Sequence, residues 1–203
     1  MLANIKDILI IVNKGQLNQY RKILPDGKNL GIKISYLEQS KPRGLPDAFV
    51  IGEKFIGKQN VAMILGDNFF YGQSLSKMLN ECVRIKVGAK IILHKVINPE
   101  NFGVAKIYKN RIERIVEKPK NFISKNAITG LYFFDKNVSK YAAKLRPSKR
   151  GELEITDLLN QYKKTKKLKF ELIGRGAIWS DAGKIEDLSN ISNYVRSIEK
   201  VQR

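Results

Sequence analysis

The chain has 203 residues, of which 43% are hydrophobic and 28% are charged, a composition typical of one soluble globular domain. No apolar run is long enough to span a bilayer, and Lys6 and Asp7 interrupt the N-terminal apolar stretch, so we predict neither a membrane segment nor a signal peptide. The single cysteine, Cys82, cannot form an internal disulfide, which favours a cytoplasmic location.

The formal net charge of +19 makes nucleic acid a candidate partner. Lysines spread along the chain supply most of this charge, whereas base recognition and bidentate phosphate contacts favour arginine. The densest basic run, residues 163–169, also suits a solvated helix end and the turn after it. We therefore expect no nucleic-acid partner, and we expect the positive field to attract small phosphorylated substrates.

The spacing of apolar residues in the first half of the chain predicts strands that alternate with helices. The predicted strands cover residues 7–13, 33–38, 61–66 and 89–96, and the predicted helices cover residues 17–23, 45–55 and 75–85. This alternation is typical of an α/β fold with a Rossmann-like, mainly parallel sheet flanked by helices.

The second half of the chain shows a different pattern. Extended segments over residues 103–108, 111–118 and 128–135 follow one another without helices, which predicts antiparallel strands beside the parallel sheet. A helix over 153–165, two more extended segments and a helix over 185–201 complete the pattern. We find no internal repeat and no linker, so we predict a single domain over residues 1–203.

Two aspartates follow predicted strands. Asp67 stands in the segment LGDNFFYG and Asp181 in the segment IWSDAG. Ligands of open parallel sheets lie at the carboxyl ends of the strands, and Mg²⁺ is commonly held there by one or two carboxylates plus substrate phosphates. The alternative for each residue is structural, because aspartate is also common in turns and at helix N-termini.

The segment VEKP places Glu117 next to Lys118 at the end of an extended segment, where Pro119 stops the strand. A lysine can neutralise a phosphate, and a glutamate can accept hydrogen bonds from sugar hydroxyls. An exposed ion pair at a strand end is the simpler alternative.

Seven segments resemble the sugar-phosphate nucleotidyltransferase family, and most closely its glucose-1-phosphate thymidylyltransferase branch, and the resemblance covers nearly the whole chain. They are QSKPRGLPDAF (39–49), LGDNFFYG (65–72), NPENFGV (98–104), VEKP (116–119), AITGLYFFD (127–135), RPSKRGELEITD (146–157) and GRGAIWSDAG (174–183). The resemblance implies that dTTP and glucose 1-phosphate react by a single in-line displacement to give dTDP-glucose and pyrophosphate. It also implies a Mg²⁺ cofactor, a sugar-binding role for the antiparallel portion and a homo-oligomer.

The resemblance also implies roles for individual residues. Gln39 and Gly44 would recognise thymine, and Asp67 and Asp181 would hold Mg²⁺. Lys118 would bind the sugar phosphate and, with Asp67, would be catalytic. The implied sugar pocket consists of Phe102, Gly103, Glu117, Ile128, Thr129 and Trp179, supported by Arg150 and Glu152.

The family begins with a strand and a glycine-rich loop of the form Gly-Gly-x-Gly-x-Arg-Leu, whose backbone N–H groups surround the triphosphate. The 203 residues contain no such motif. We therefore expect a truncated chain that lacks the first strand of the family fold and a helical C-terminal extension, with open strand edges and impaired activity. The alternative is a non-catalytic sugar-nucleotide-binding remnant, or a partner subunit of a full-length relative.

Overall fold

The structure, a computed structural model, describes residues 2–174 and 176–201, so Arg175 of the predicted segment 174–183 lies outside the described residues. These residues form an α/β fold in which ten strands accompany seven α-helices. The strands are β1 Asp7–Asn13, β2 Lys33–Gln39, β3 Val61–Ile64, β4 Asn68–Gly72, β5 Ala89–Lys95, β6 Gly103–Tyr108, β7 Arg111–Glu117, β8 Asn126–Phe134, β9 Leu168–Leu172 and β10 Ala177–Asp181. The helices are α1 Leu17–Ile23, α2 Asp47–Ile51, α3 Glu53–Ile56, α4 Leu75–Val83, α5 Val138–Ala142, α6 Ile155–Lys164 and α7 Ile185–Val201.

Strand β8 organises the main sheet. Eight of its nine residues are buried, as a continuous apolar run predicts for a strand covered on both faces. β5 pairs along one edge of β8, while the other edge is shared, with β3 opposite residues 131–134 and β6 opposite Ala127. β7 extends the sheet beyond β6, and β9 extends it beyond β5. The shared edge leaves a fork in the middle of the sheet.

The α/β class is confirmed, but the strand pairs are less parallel than the prediction of a mainly parallel sheet. Among the described residues, β1–β2 and β5–β9 are parallel, and the other five pairs are antiparallel. The reason is the position of β8, which returns between β3 and β5 and runs opposite to both. Apolar spacing predicts that a segment is a strand but carries no information about its neighbours.

Strands β1 and β2 form a separate two-stranded sheet. β1 pairs with β2 along one edge, and β3 pairs with β8 along one edge. The other edge of each strand has no strand partner within the described ranges. β1 is held instead by side-chain packing, since the Leu9 side chain would lie 3.1 Å from a Cβ at Gly52, between α2 and α3. The sequence analysis predicts open strand edges, and these two edges are open within the described ranges.

Two local features were not predicted. The helix expected over residues 45–55 is divided at Gly52 into α2 and α3, because glycine has little preference for the helix interior. The segment NFFYG forms strand β4, which pairs with β10 and brings the neighbourhoods of Asp67 and Asp181 together. No helix of the described part of the chain is both long and apolar enough to cross a membrane.

Apolar clusters lie on both faces of the main sheet. The larger one includes Phe49, Phe134, Leu158 and Tyr162, contributed by α2, β8 and α6. The smaller one joins α4 to β5 and β8 and contains Cys82, which is fully buried. Burial raises the pKa of the Cys82 thiol to about 11, so this cysteine packs as a small apolar side chain.

Candidate active site

A cleft of about 230 Å³ opens at the fork of the main sheet, between β8, β10 and the segment that leads into α6. Seven residues predicted as site residues line it: Phe102, Gly103, Glu117, Lys118, Ile128, Trp179 and Asp181. A larger cavity of about 570 Å³ lies beside α6, and none of the predicted site residues lines it. The cleft, and not the larger cavity, is therefore the candidate active site.

Two aspartates come together where β4 and β10 pair. Asp181 ends β10 opposite Asn68, the first residue of β4, and the N–H of Ala182 donates to the backbone carbonyl oxygen of Asp67 at 2.7 Å. Burial, and then the charge of Asp67, raise the pKa of Asp181, although the N–H of Gly183 donates to its Oδ1 at 3.0 Å. A bound cation would relieve the repulsion between these carboxylates.

The donor set fits a magnesium ion that binds together with its substrate. The described residues contain no group of three or more His, Cys, Asp or Glu side chains that could hold a metal alone. In phosphate-handling sites Mg²⁺ usually takes one or two carboxylates, and substrate phosphates and water complete its coordination. Asp67 and Asp181 are the side chains that could hold it.

Lys118 lines the cleft because the backbone turns sharply at the end of β7. Its φ is +39°, in the left-handed region that non-glycine residues rarely adopt. The N–H of Lys118 donates to the carbonyl oxygen of Phe102 at 3.1 Å, which holds the turn against β6. Neighbours on a regular strand point to opposite faces, but this turn allows Glu117 and Lys118 to face the same cleft.

Glu117 is a half-buried carboxylate, with a side chain 22% exposed. Burial, and then the like charge of Glu154, raise its pKa, while the side-chain hydrogen bond with Thr156 and the charges of Arg150 and Lys118 act in the opposite direction. A carboxylate oxygen accepts more than one hydrogen bond, so the hydroxyls of a sugar in the cleft could donate to Glu117.

Gly103 leaves the space that the Glu117 side chain occupies. The two residues are partners in the register of β6 and β7. A Cβ at Gly103 would lie 3.1 Å from Cγ2 of Thr156 and 3.2 Å from Oε2 of Glu117. A side chain at this position would therefore displace the carboxylate or narrow the cleft.

Strand β8 contributes alternate residues to the cleft, namely Ile128, Gly130 and Tyr132. Thr129, which the resemblance places in the sugar pocket, lies elsewhere: it is fully buried, and its hydroxyl donates to the carbonyl oxygen of Ile92 at 3.0 Å. Side chains alternate along a strand, so Thr129 faces β5 and the opposite side of the sheet.

Trp179 forms an aromatic wall of the cleft. It is 8% exposed, and its ring packs edge-on against Phe102 and His94, with centroid distances of 5.1 and 5.9 Å. Burial lowers the pKa of His94. His94 thus supports the wall as a neutral packing residue.

Gln39 and Gly44, the residues expected to recognise thymine, do not line the cleft. Gln39 ends β2, and its amide donates to Oδ1 of Asn13 at 3.0 Å. Gly44 has a φ of +105° and lies against Leu153, whose carbonyl oxygen would be 2.1 Å from a Cβ at Gly44. Leu153 does line the cleft, so Gly44 lies directly behind its wall and Gln39 lies on the two-stranded sheet.

Comparison with known proteins identifies the family of this chain. The model of the nucleotidyl transferase family matches residues 1–198. The chain belongs to the nucleotidyl transferase family. Among its curated relatives, the glucose-1-phosphate thymidylyltransferase of Neisseria meningitidis is 43% identical over 203 residues, which cover all of this chain and 70% of the relative. The enzyme of the same name from Mycobacterium tuberculosis is 38% identical with the same coverage.

Solved structures agree with this family. A crystal structure assigned as a glucose-1-phosphate thymidylyltransferase from Bacillus anthracis, in complex with sucrose, superimposes with a TM-score of 0.87 and 37% identity. The match covers 96% of this chain and 78% of that chain. A UDP-glucose pyrophosphorylase complexed with UDP-glucose reaches a TM-score of 0.78 at 21% identity, which supports the fold alone.

Asn68, Glu154 and Thr156 are among the cleft residues of this nucleotidyltransferase that were not singled out from the sequence. They stand inside the segments LGDNFFYG and RPSKRGELEITD that carry the family resemblance, so their position in those segments was the available signal.

Arg150 was expected to support the site. Its guanidinium nitrogens lie 3.5–4.0 Å from carboxylate oxygens of Glu117, Glu152 and Glu154. The acidic side of the cleft is thus arranged around one arginine.

Proposed function

We propose that this nucleotidyltransferase transfers a thymidylyl group from dTTP to glucose 1-phosphate, forming dTDP-glucose and pyrophosphate. The observation that carries the proposal is the convergence of Asp181, Lys118 and Glu117 at one cleft, with Asp67 beside Asp181 where β4 and β10 pair. The names of the curated relatives support the choice of nucleotide and sugar.

The sugar end of the substrate would bind at Glu117, Gly103 and Ile128. The Glu117 carboxylate would accept hydrogen bonds from glucose hydroxyls, and Gly103 would let the sugar approach the backbone of β6. Trp179 and Phe102 would pack against the apolar face of the ring. The Lys118 ammonium group would neutralise the phosphate of glucose 1-phosphate and orient its attacking oxygen.

The reaction would be a single in-line displacement. A phosphate oxygen of glucose 1-phosphate forms a bond to the α-phosphorus of dTTP, and the bond from that phosphorus to the β-phosphate oxygen breaks. A magnesium ion at Asp67 and Asp181 would supply charge neutralisation when bound. The residues of this chain would contribute by holding both reactants in line. No protein nucleophile is required.

We propose that Gln39 recognises thymine, a role that the family resemblance implies for Gln39 and Gly44, although both lie outside the lining of the cleft. A glutamine amide can donate and accept at once, so it discriminates bases by the pattern of their hydrogen-bonding groups. Calorimetry tests this assignment: dTTP should bind and ATP should not, and Gln39→Ala should remove the difference. Equal affinities of the unchanged chain for dTTP and ATP would contradict it.

We further propose that a polypeptide of these 203 residues turns over slowly. Removal of one preorganised donor at a reacting centre typically costs about a hundredfold or more in rate. The 203 residues contain no glycine-rich loop of the family form, so several donors would be absent together. The decisive assay is magnesium-dependent pyrophosphate release from dTTP and glucose 1-phosphate.

The control for this assay is the same polypeptide with a family-type N-terminal segment fused ahead of Met1. We expect little release without the segment and clear release with it. Rapid turnover by the 203 residues alone would show that the loop is dispensable. Binding of glucose 1-phosphate without turnover in either protein would favour the alternative function, a sugar-nucleotide-binding remnant or partner subunit.

A further inference from the structure

Asn68 occupies the point where three separate parts of the chain meet at the candidate metal site. It follows Asp67 directly, begins β4, and pairs in register with Asp181 of β10. Its side chain points between β4, β10 and β8 and lines the cleft. The family resemblance assigns this residue no role.

The amide of Asn68 makes three hydrogen bonds. Its Oδ1 accepts from the N–H of Gly130 in β8 at 2.9 Å and from Nε1–H of Trp179 in β10 at 2.6 Å. Its Nδ2 donates to Oδ1 of Asp67 at 2.8 Å. Gly130 and Trp179 are 62 and 111 positions away from Asn68 in the sequence. Through the Asn68 amide, both are linked to the carboxylate of Asp67.

The orientation of the amide is fixed by its partners. Gly130 N–H and Trp179 Nε1–H are both donors, so the atom that faces them has to be the oxygen. The amino group consequently faces Asp67, where it donates to one carboxylate oxygen. The other carboxylate oxygen can then be the one offered to a cation.

The packing of β8 is adapted to this amide. A Cβ at Gly130 would lie 2.5–2.7 Å from the three terminal side-chain atoms of Asn68. Any other residue at position 130 would therefore push the amide out of place. The absence of a side chain at Gly130 and the three hydrogen bonds are independent observations, and both indicate one position for Asn68.

We infer that Asn68 is a positioning residue that sets the geometry of the Asp67–Asp181 pair. It orients Asp67 directly, and through Trp179 it fixes the strand that carries Asp181 two residues later. The inference rests on the proposed metal site, because orienting partners of metal ligands act by fixing the carboxylates before the ion arrives.

The test measures Mn²⁺ binding to the purified chain in the presence of dTTP, whose phosphates complete the coordination. Electron paramagnetic resonance reports the free ion, and Mn²⁺ uptake by dTTP alone is measured and subtracted. Loss of such an orienting partner typically weakens metal binding about 10–100-fold, and we expect this range for Asn68→Ala. Trp179→Phe, which keeps a ring against Phe102 but removes the indole donor, should weaken binding less. If Asn68→Ala does not fold, the Mn²⁺ affinity of Trp179→Phe tests the inference, because this variant removes one of the hydrogen bonds that hold the Asn68 amide.

Two control variants separate positioning from stability. Tyr162→Phe removes a buried hydrogen bond to Asp135 in the remote core, and Asn80→Ala removes an asparagine that bonds backbone carbonyls near α4. Both should leave the Mn²⁺ affinity unchanged, even where the melting temperature falls. A loss of Mn²⁺ affinity in the controls that follows the loss of stability would overturn the inference.

A second readout tests the central hydrogen bond without metal. Trp179 is the only tryptophan of the chain, so its indole N–H gives one resonance in the nuclear magnetic resonance spectrum. Hydrogen exchange at this group should be slow in the unchanged chain and faster in Asn68→Ala. If the unchanged chain and dTTP together bind no more Mn²⁺ than dTTP alone, the metal site and this inference both fail. If the unchanged chain and Asn68→Ala bind Mn²⁺ equally, only this inference fails.

Discussion

At the scale of single residues, the surroundings of Glu117 in the cleft disfavour the ionised form of its carboxyl group. Burial and the charge of Glu154 raise the pKa of Glu117. A carboxyl group whose pKa is higher in the folded chain stabilises the fold at pH below its unfolded pKa. That contribution is lost as the pH rises through the folded pKa. The ionised Glu117 therefore opposes folding at neutral pH, as expected of a group kept for function.

The corresponding prediction concerns Glu117→Gln. This variant should lose less stability than the unchanged chain as the pH rises from about 4 through the raised pKa of Glu117, because it has no carboxyl group to ionise. It should also bind glucose 1-phosphate more weakly. Thermal unfolding across this range and calorimetry check the two effects, with Glu113→Gln, whose partner is the exposed Lys106, as the control. Parallel pH curves for Glu117→Gln and the unchanged chain would contradict the prediction.

Several residue positions could be predicted because chemistry and local pattern coincide. Asp67, Asp181 and Glu117 each stand where an apolar pattern ends. In the structure Asp181 and Glu117 line the cleft, and Asp67 lies beside Asp181 where β4 and β10 pair. Thr129 could not be separated from Ile128, because the side of a strand that faces a cleft depends on its neighbours. The inward turn of Lys118 depends on a positive φ that apolar spacing does not reveal.

At the scale of elements, the joint between the segment after β2 and the segment before α6 depends on Gly44. Its φ is +105°, and a Cβ there would meet the backbone of Leu153 at 2.1–2.9 Å. The N–H of Leu153 donates to the carbonyl oxygen of Arg43 at 2.7 Å, so the two backbones cannot easily separate. The cleft residues Glu152 and Glu154 flank this joint.

Gly44→Ala should therefore destabilise the chain by more than the roughly 1–3 kcal/mol that an unusual backbone conformation costs by itself. Gly31→Ala is the matched control, since Gly31 also has a positive φ, +66°, but nothing lies within 4 Å of the position that an added methyl group would take. Urea unfolding measures both variants. Equal losses in the two would mean that the contact with Leu153 relaxes without cost.

The elements themselves were predicted unequally, for physical reasons. β1, α1, β6 and α7 have the predicted bounds, because each has a clear apolar period between turn-forming or polar residues. β4 was missed because its aromatic residues give no alternation. Its identity as a strand comes from pairing with β10, which lies more than 100 residues away in the sequence.

At the scale of the whole molecule, the charge of +19 acts on stability. Like charges repel in the compact chain, and salt screens this repulsion over a Debye length of about 10 Å at 0.1 M. We expect the melting temperature to rise as NaCl increases from about 0.01 M to about 0.15 M. Calorimetric scans at fixed pH measure this effect. An unchanged or falling melting temperature would show that local ion pairs outweigh the net repulsion.

Labelling of the buried Cys82 thiol in α4 can report how often the structure opens. Cys82 is the only cysteine and is inaccessible while α4 packs on β5 and β8. A thiol reagent can reach it only when the helix separates from the sheet or the whole chain unfolds. The rate of labelling therefore counts these openings without any engineered probe. Slower labelling in the presence of a ligand would show that a compound bound in the cleft restrains the opposite face of the same sheet.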